Sequence, residues 1–160
     1  MQSHKIQSLA DPTATQDAVT KKYVDTVQAL PDDHTWSGSQ PTMTAGTNLT
    51  IGQAVYVGGD SKMEKSDADA VASMPVIALA TGTINENATG VFLTQGFFRD
   101  NTWDWTPGGI LYADEGTGGT IGGMTQTAPA GAGDQVQVLG IAITADIIYF
   151  NPSLELVEIS

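Results

Sequence analysis

The side chains able to do chemistry in this 160-residue chain are few and unevenly placed. His4 and His34 are the only histidines, so they alone would titrate near neutral pH without a perturbed environment, and both fall in the first 34 residues. The stretch FFRDNTWDW (97–105) sets the single arginine, Arg99, among Phe97, Phe98, Trp103 and Trp105, and spaces Asp100 and Asp104 four apart. Paired carboxylates beside aromatic rings are the raw material of a glycosidase or a sugar-binding face. Tryptophan and arginine are also the residues favoured at interface hot spots. Three readings stand: the aromatics alternate into a core while Arg99 pairs with Asp100 or Asp104, they meet another subunit, or they meet a ligand. Arg99, Trp103, Asp104 and Trp105 are the residues that would make a receptor or subunit contact.

Other catalytic and ligand-binding patterns are missing from the sequence. Asp67-Ala-Asp69 has the one-residue spacing of a calcium loop, but the glycine and terminal glutamate of an EF-hand do not follow, and a solvated turn is expected. There is no G-x-S-x-G elbow and no G-x-x-x-x-G-K-[ST] phosphate loop. With no cysteine, disulfides and thiolate ligands are excluded. The sequence therefore predicts no catalytic residue, no metal site and no cofactor.

The formal net charge is −12. Lys5, Lys21 and Lys22 balance Asp11, Asp17 and Asp25 before residue 31, so the whole excess lies beyond, where only Lys62, Lys65 and Arg99 are basic. Such a surface repels phosphate backbones, and no nucleic-acid partner is expected. No apolar run approaches the ~20 residues of a membrane helix, and the first ten residues lack the apolar core of a secretory signal. No membrane partner is expected.

The elements that must position these residues read as mainly β. Short apolar runs at 49–57, 74–82, 89–98, 109–113, 136–144, 147–150 and 154–159 are cut by glycine-rich turns. Val55/Val57, Ile77/Leu79, Val91/Leu93 and Val136/Val138 alternate with the period of half-buried strands. About seven strands at this spacing argue for a β-barrel or β-sandwich over residues 49–160. Residues 31–48, PDDHTWSGSQPTMTAGTN, show no period and read as a linker or extended arm, with Trp36 packing onto the β domain or a neighbouring subunit.

Residues 1–30 differ from the rest. Asp11-Pro12 is a helix start, and Thr20, Tyr23, Val27 and Leu30 follow a 3-4-3 spacing with Val24 alongside, one apolar seam on a short coiled-coil-like helix. Pro31 closes it. A lone helix of about 18 residues is marginal in water. It needs either its own β domain or copies of itself.

The run HKIQSLADPTATQDAVTKKYVD (4–25) resembles a segment of bacteriophage tail-fibre and related virion proteins, roughly K-I-x-N-L-A-x-P-x-x-x-x-D-A-x-T-K-x-Y-V-D. Lys5, Ile6, Leu9, Ala10, Pro12, Asp17, Ala18, Thr20, Lys21, Tyr23, Val24 and Asp25 match, and Ser8 stands where asparagine is common. The order of runs after residue 52 also resembles, more loosely, small β domains of phage fibres and capsid-decorating proteins. The resemblance implies a homotrimer associating through Thr20, Tyr23, Val24, Val27 and Leu30. Residues 1–10, with Lys5, Ile6 and Leu9, would attach it to another virion protein of the tail or capsid. It implies a protein made in the bacterial host cytoplasm and located on the virion, a short fibre or decoration protein. The alternative it leaves open is a receptor-binding tip for a host surface glycan or protein.

Overall fold

The computed structural model describes residue 30, residues 32–116 and residues 121–160. Thirteen short strands and one 3-10 turn (Val71–Ser73) make up the regular structure of the described residues. The mainly β expectation holds. Every named strand pair is antiparallel. The helix expected over residues 11–30 lies outside the described residues except at Leu30.

One sheet has six strands in the order β1 (Thr35–Ser39), β7 (Gln95–Arg99), β12 (Ile147–Phe150), β11 (Val138–Ala142), β8 (Ile110–Ala113) and β9 (Met124–Thr125). A second has five, in the order β2 (Thr42–Thr44), β6 (Thr89–Leu93), β5 (Ala78–Ala80), β3 (Ala54–Val57) and β4 (Met63–Lys65). A third pairs β10 (Gln135–Val136) with β13 (Val157–Glu158).

All seven apolar runs carry a strand, but 89–98 carries two. The chain leaves β6 at Leu93, passes Thr94, and begins β7 in the other sheet at Gln95. Its partner does the same, passing from β1 to β2 through Gln40 and Pro41. At this corner the Thr94 N–H donates to Ser39 O (3.0 Å) and the Phe92 N–H to Pro41 O (3.0 Å). One paired ribbon therefore belongs to both sheets.

That ribbon corrects the reading of 31–48 as a linker. Residues 35–39 and 42–44 are paired strands of the two large sheets. They are edge strands of threonine, serine and glycine, and such residues leave no apolar period to detect. Trp36 and Met43 are the apolar exceptions: Met43 packs against buried core residues, and the Trp36 ring stacks on Phe98 with centroids 5.8 Å apart while its indole N–H donates to Gln40.

The alternation in β5 and β6 divides the core in two. Leu79 and Leu93, with Ala54, join Phe98, Leu111, Leu139, Ile148 and Phe150 of the six-stranded sheet in one buried cluster. Ala78, Ala80, Val55 and Phe92 point the other way and join Ala45, Leu49, Met63 and Ile84. The five-stranded sheet is thus buried on both faces, which explains why β5 reads as a continuous apolar run. Gln137 is fully buried and holds β11 to residue 76, where no strand pairs. Its Nε2 donates to the carbonyls of Val76 (2.9 Å) and Ser153, and the Val76 N–H donates to its Oε1 (2.8 Å).

Gly38 and Gly96 face each other across β1 and β7 at φ of 144° and 148°. A Cβ on Gly96 would stand 2.0 Å from the Ser37 carbonyl oxygen, which is backbone and cannot yield. Gly96→Ala is expected to destabilise the fold by about 1–3 kcal/mol or more. Gly59 meets nothing within 4 Å, and Gly59→Ala should change stability by less than about 0.5 kcal/mol. Denaturant unfolding of the two variants checks the contrast.

Candidate functional site

The end of β7 and the loop after it hold most of the residues singled out in the sequence. The strand alternates, so Phe98 enters the core and Phe97 and Arg99 point outward. The loop then turns sharply at Asp100. Its Oδ1 accepts from the Thr102 backbone N–H (2.9 Å) and hydroxyl (2.6 Å), and its backbone carbonyl accepts from the Trp103 N–H (3.2 Å). This side chain-to-backbone turn is what a D-N-T sequence favours. Asp100 is only 5% exposed as a result.

Trp103 and Trp105 pack against the main core cluster. Phe98, Trp103 and Trp105 form a chain of tilted rings with centroids 5.6 and 5.8 Å apart. Trp103 and Trp105 line a groove of about 430 Å³ with Gln53, Asp100, Asp114 and Gly122. The indole nitrogen of Trp105 is buried without a hydrogen-bond partner among the described residues. Asp104 points to solvent.

Arg99 does not pair with Asp100 or Asp104. Its Nη1 donates to the Leu30 carbonyl (3.1 Å), its Nε to Asn101 Oδ1 (2.7 Å), and its Nη2 stands 3.9 Å from Asp146. Leu30, expected at the end of the helical seam, is 2% exposed within the single chain and has φ of 45°. The remaining seam residues, Thr20, Tyr23, Val24 and Val27, lie outside the described residues, as do Lys5, Ile6 and Leu9.

Just after Leu30 the chain is tied to the same loop again. Asp33 Oδ1 accepts from the Asn101 N–H (2.8 Å) and the His34 N–H (2.9 Å). The Asn101 bond is the main reason the Asp33 carboxyl titrates below its ordinary range, and the nearby charges of His34 and Arg99 add to it. His34 Nε2 lies 3.8 Å from Asp33 Oδ2 and 3.6 Å from Asp100 Oδ2. No local pattern marks this grouping, since Asp33 and Asp100 are far apart in the chain and meet only because β1 pairs with β7.

Elsewhere the polar groupings are structural. Asp67 Oδ1 accepts from the Asp69 N–H (3.1 Å), the turn expected of that pair. Asp60 and Lys62 pair at 2.8 Å across the β3–β4 hairpin tip, which lowers the pKa of the one and raises that of the other. The Glu115 carboxyl is pushed up by its hydrogen bond with Asp134. No described helix is long and apolar enough to cross a membrane.

No protein-family model matches the chain, and no curated protein matches it in sequence.

A depressed carboxyl stabilises the fold at pH above its unfolded value, and that contribution disappears as pH falls through the folded value. The unfolded value for aspartate is about 3.9. Wild type should therefore melt above Asp33→Asn at pH 6, and the gap in Tm should close as pH drops below about 4. Thermal melts of both proteins from pH 6 to pH 2 measure it; a gap that stays constant would exclude Asp33 as the titrating group.

Proposed function

We propose that the protein is a structural component of a bacteriophage particle, a short trimeric fibre or decoration protein. The observation that carries this reading is the dense match of residues 4–25 to the fibre-protein segment. The helix it contains is the assembly device, through Thr20, Tyr23, Val24 and Val27. Lys5, Ile6 and Leu9 face the neighbouring virion protein. The β body, a sandwich-like stack of two large antiparallel sheets, faces outward.

The described structure is consistent with a mechanical part. Its buried polar groups act as struts: Gln137 bridges two backbone segments, and Asp100 shapes its loop. The acidic surface keeps neighbouring β bodies from adhering nonspecifically.

A second reading, a receptor-binding tip, is favoured by one observation. Trp103 and Trp105 expose ring edges to a groove that also offers Asp100, Asp114 and Gln53. Rings that stack on sugar faces, with carboxylates and amides to bond hydroxyls, are what a glycan site requires. Quenching of tryptophan fluorescence by host surface polysaccharide would select this reading.

Light scattering of the full chain tests the assembly claim. The expected mass is three times 16.7 kDa. Val27→Asp, which sets a charge in the seam, is expected to shift it to the monomer mass at micromolar concentration. A wild-type monomer would overturn the trimer.

A further inference from the structure

We propose that Asp33, His34 and Asp100 bind one divalent first-row transition cation, of which Zn²⁺ is the best-fitting example. Each residue offers one donor atom, and the three donor atoms lie within 4.8 Å of one another. His34 Nε2 stands 3.8 Å from Asp33 Oδ2 and 3.6 Å from Asp100 Oδ2. Donors bound at about 2.0–2.2 Å in a tetrahedron stand about 3.4 Å apart. The two nitrogen–oxygen separations exceed this by a few tenths of an ångström and the oxygen–oxygen separation by at most about 1.4 Å, and both Asp33 and His34 have exposed side chains that can close the set.

The donors are oriented as a metal site orients its ligands. In each carboxylate one oxygen is fixed by the fold and the other is left to the cluster. Asp33 Oδ1 takes the backbone N–H groups of His34 and Asn101. Asp100 Oδ1 takes both donors of Thr102. Hydrogen bonds of this kind hold ligating carboxylates in place and are a normal part of a metal centre.

Asp100 supplies the independent argument. Its side chain is 7% exposed, and its Oδ2 faces His34 Nε2 at 3.6 Å. A carboxylate charge buried to this degree is costly unless a cation or hydrogen bonds compensate it. Arg99, one residue earlier, is directed to Leu30 and Asp146 instead.

The mixed set selects the ion. Imidazole nitrogen favours zinc, nickel, copper or iron over magnesium and calcium, which prefer all-oxygen shells. The three ligands leave a fourth position on the solvent side, where Asp33 and His34 are exposed, and water can fill it. A cation here would cross-link the chain before β1 to the loop after β7, fixing the direction in which residues 1–30 leave the β body.

The test uses the full chain without an affinity tag, stripped with chelator and desalted. Titration calorimetry with zinc chloride is expected to show one site per chain. Asp100→Asn and His34→Asn should each weaken it by at least about tenfold. Asparagine at 34 accepts the φ of 53° found there, and asparagine at 100 keeps the acceptor for Thr102, so both variants should fold; circular dichroism checks this. His4→Gln should bind as wild type does. Zinc should raise the Tm of wild type and of His4→Gln, and leave that of His34→Asn unchanged. Co²⁺ should give wild type the visible absorption of a four-coordinate centre, absent in His34→Asn. No saturable zinc binding, or equal binding by wild type and His34→Asn, would overturn the proposal.

Discussion

Between Thr94 and Gln40–Pro41 a single paired ribbon turns out of one sheet and into the other without breaking its hydrogen-bond ladder. The two sheets cannot slide past each other, because each contains half of the same two strands. The close approach at Gly38 and Gly96 sits on this ribbon, on the β1–β7 side of the corner, where the two backbones meet without room for a side chain.

The ribbon also decides what lies beside the N-terminal segment. Pairing β1 with β7 brings Thr35 opposite Arg99, so the residues before Thr35 run alongside the loop after Arg99. Leu30, Asp33 and His34 are then held by Arg99, Asn101 and Asp100 in turn. The junction between the proposed assembly segment and the β body is thus a set of directed polar contacts. A fibre or decoration protein that must hold its outer body at a fixed angle requires a junction of that kind.

Much of the β body was legible in the sequence because its core strands alternate or run continuously apolar. Val55, Leu79, Leu93 and Ile148 are fully buried, but Val57, Val91 and Val138, read in the same alternating pairs, are exposed, so the pattern marked the strands and not their buried face. The strands that escaped were those without an apolar signal: Thr35–Ser39 and Thr42–Thr44 are polar edges, and Met63–Lys65 has one buried residue. The bend at Thr94 was hidden inside a single apolar run. In FFRDNTWDW, composition allowed core, interface or ligand contact, and the structure packs both tryptophans on the core while leaving their edges in a groove. The core reading paired Arg99 with Asp100 or Asp104; its partners are instead Leu30, Asn101 and Asp146. The grouping of Asp33, His34 and Asp100 was beyond any local pattern, since only the register of β1 on β7 brings it together.

The central claim is that assembly resides before Leu30 and that the β body folds without it. The most direct measurement is the solution mass and denaturant unfolding of a chain beginning at Leu30, which keeps the carbonyl that Arg99 binds. The expected result is a folded monomer whose unfolding midpoint matches that of the β body in the full chain. A shortened chain that remains oligomeric, or that fails to fold, would contradict it.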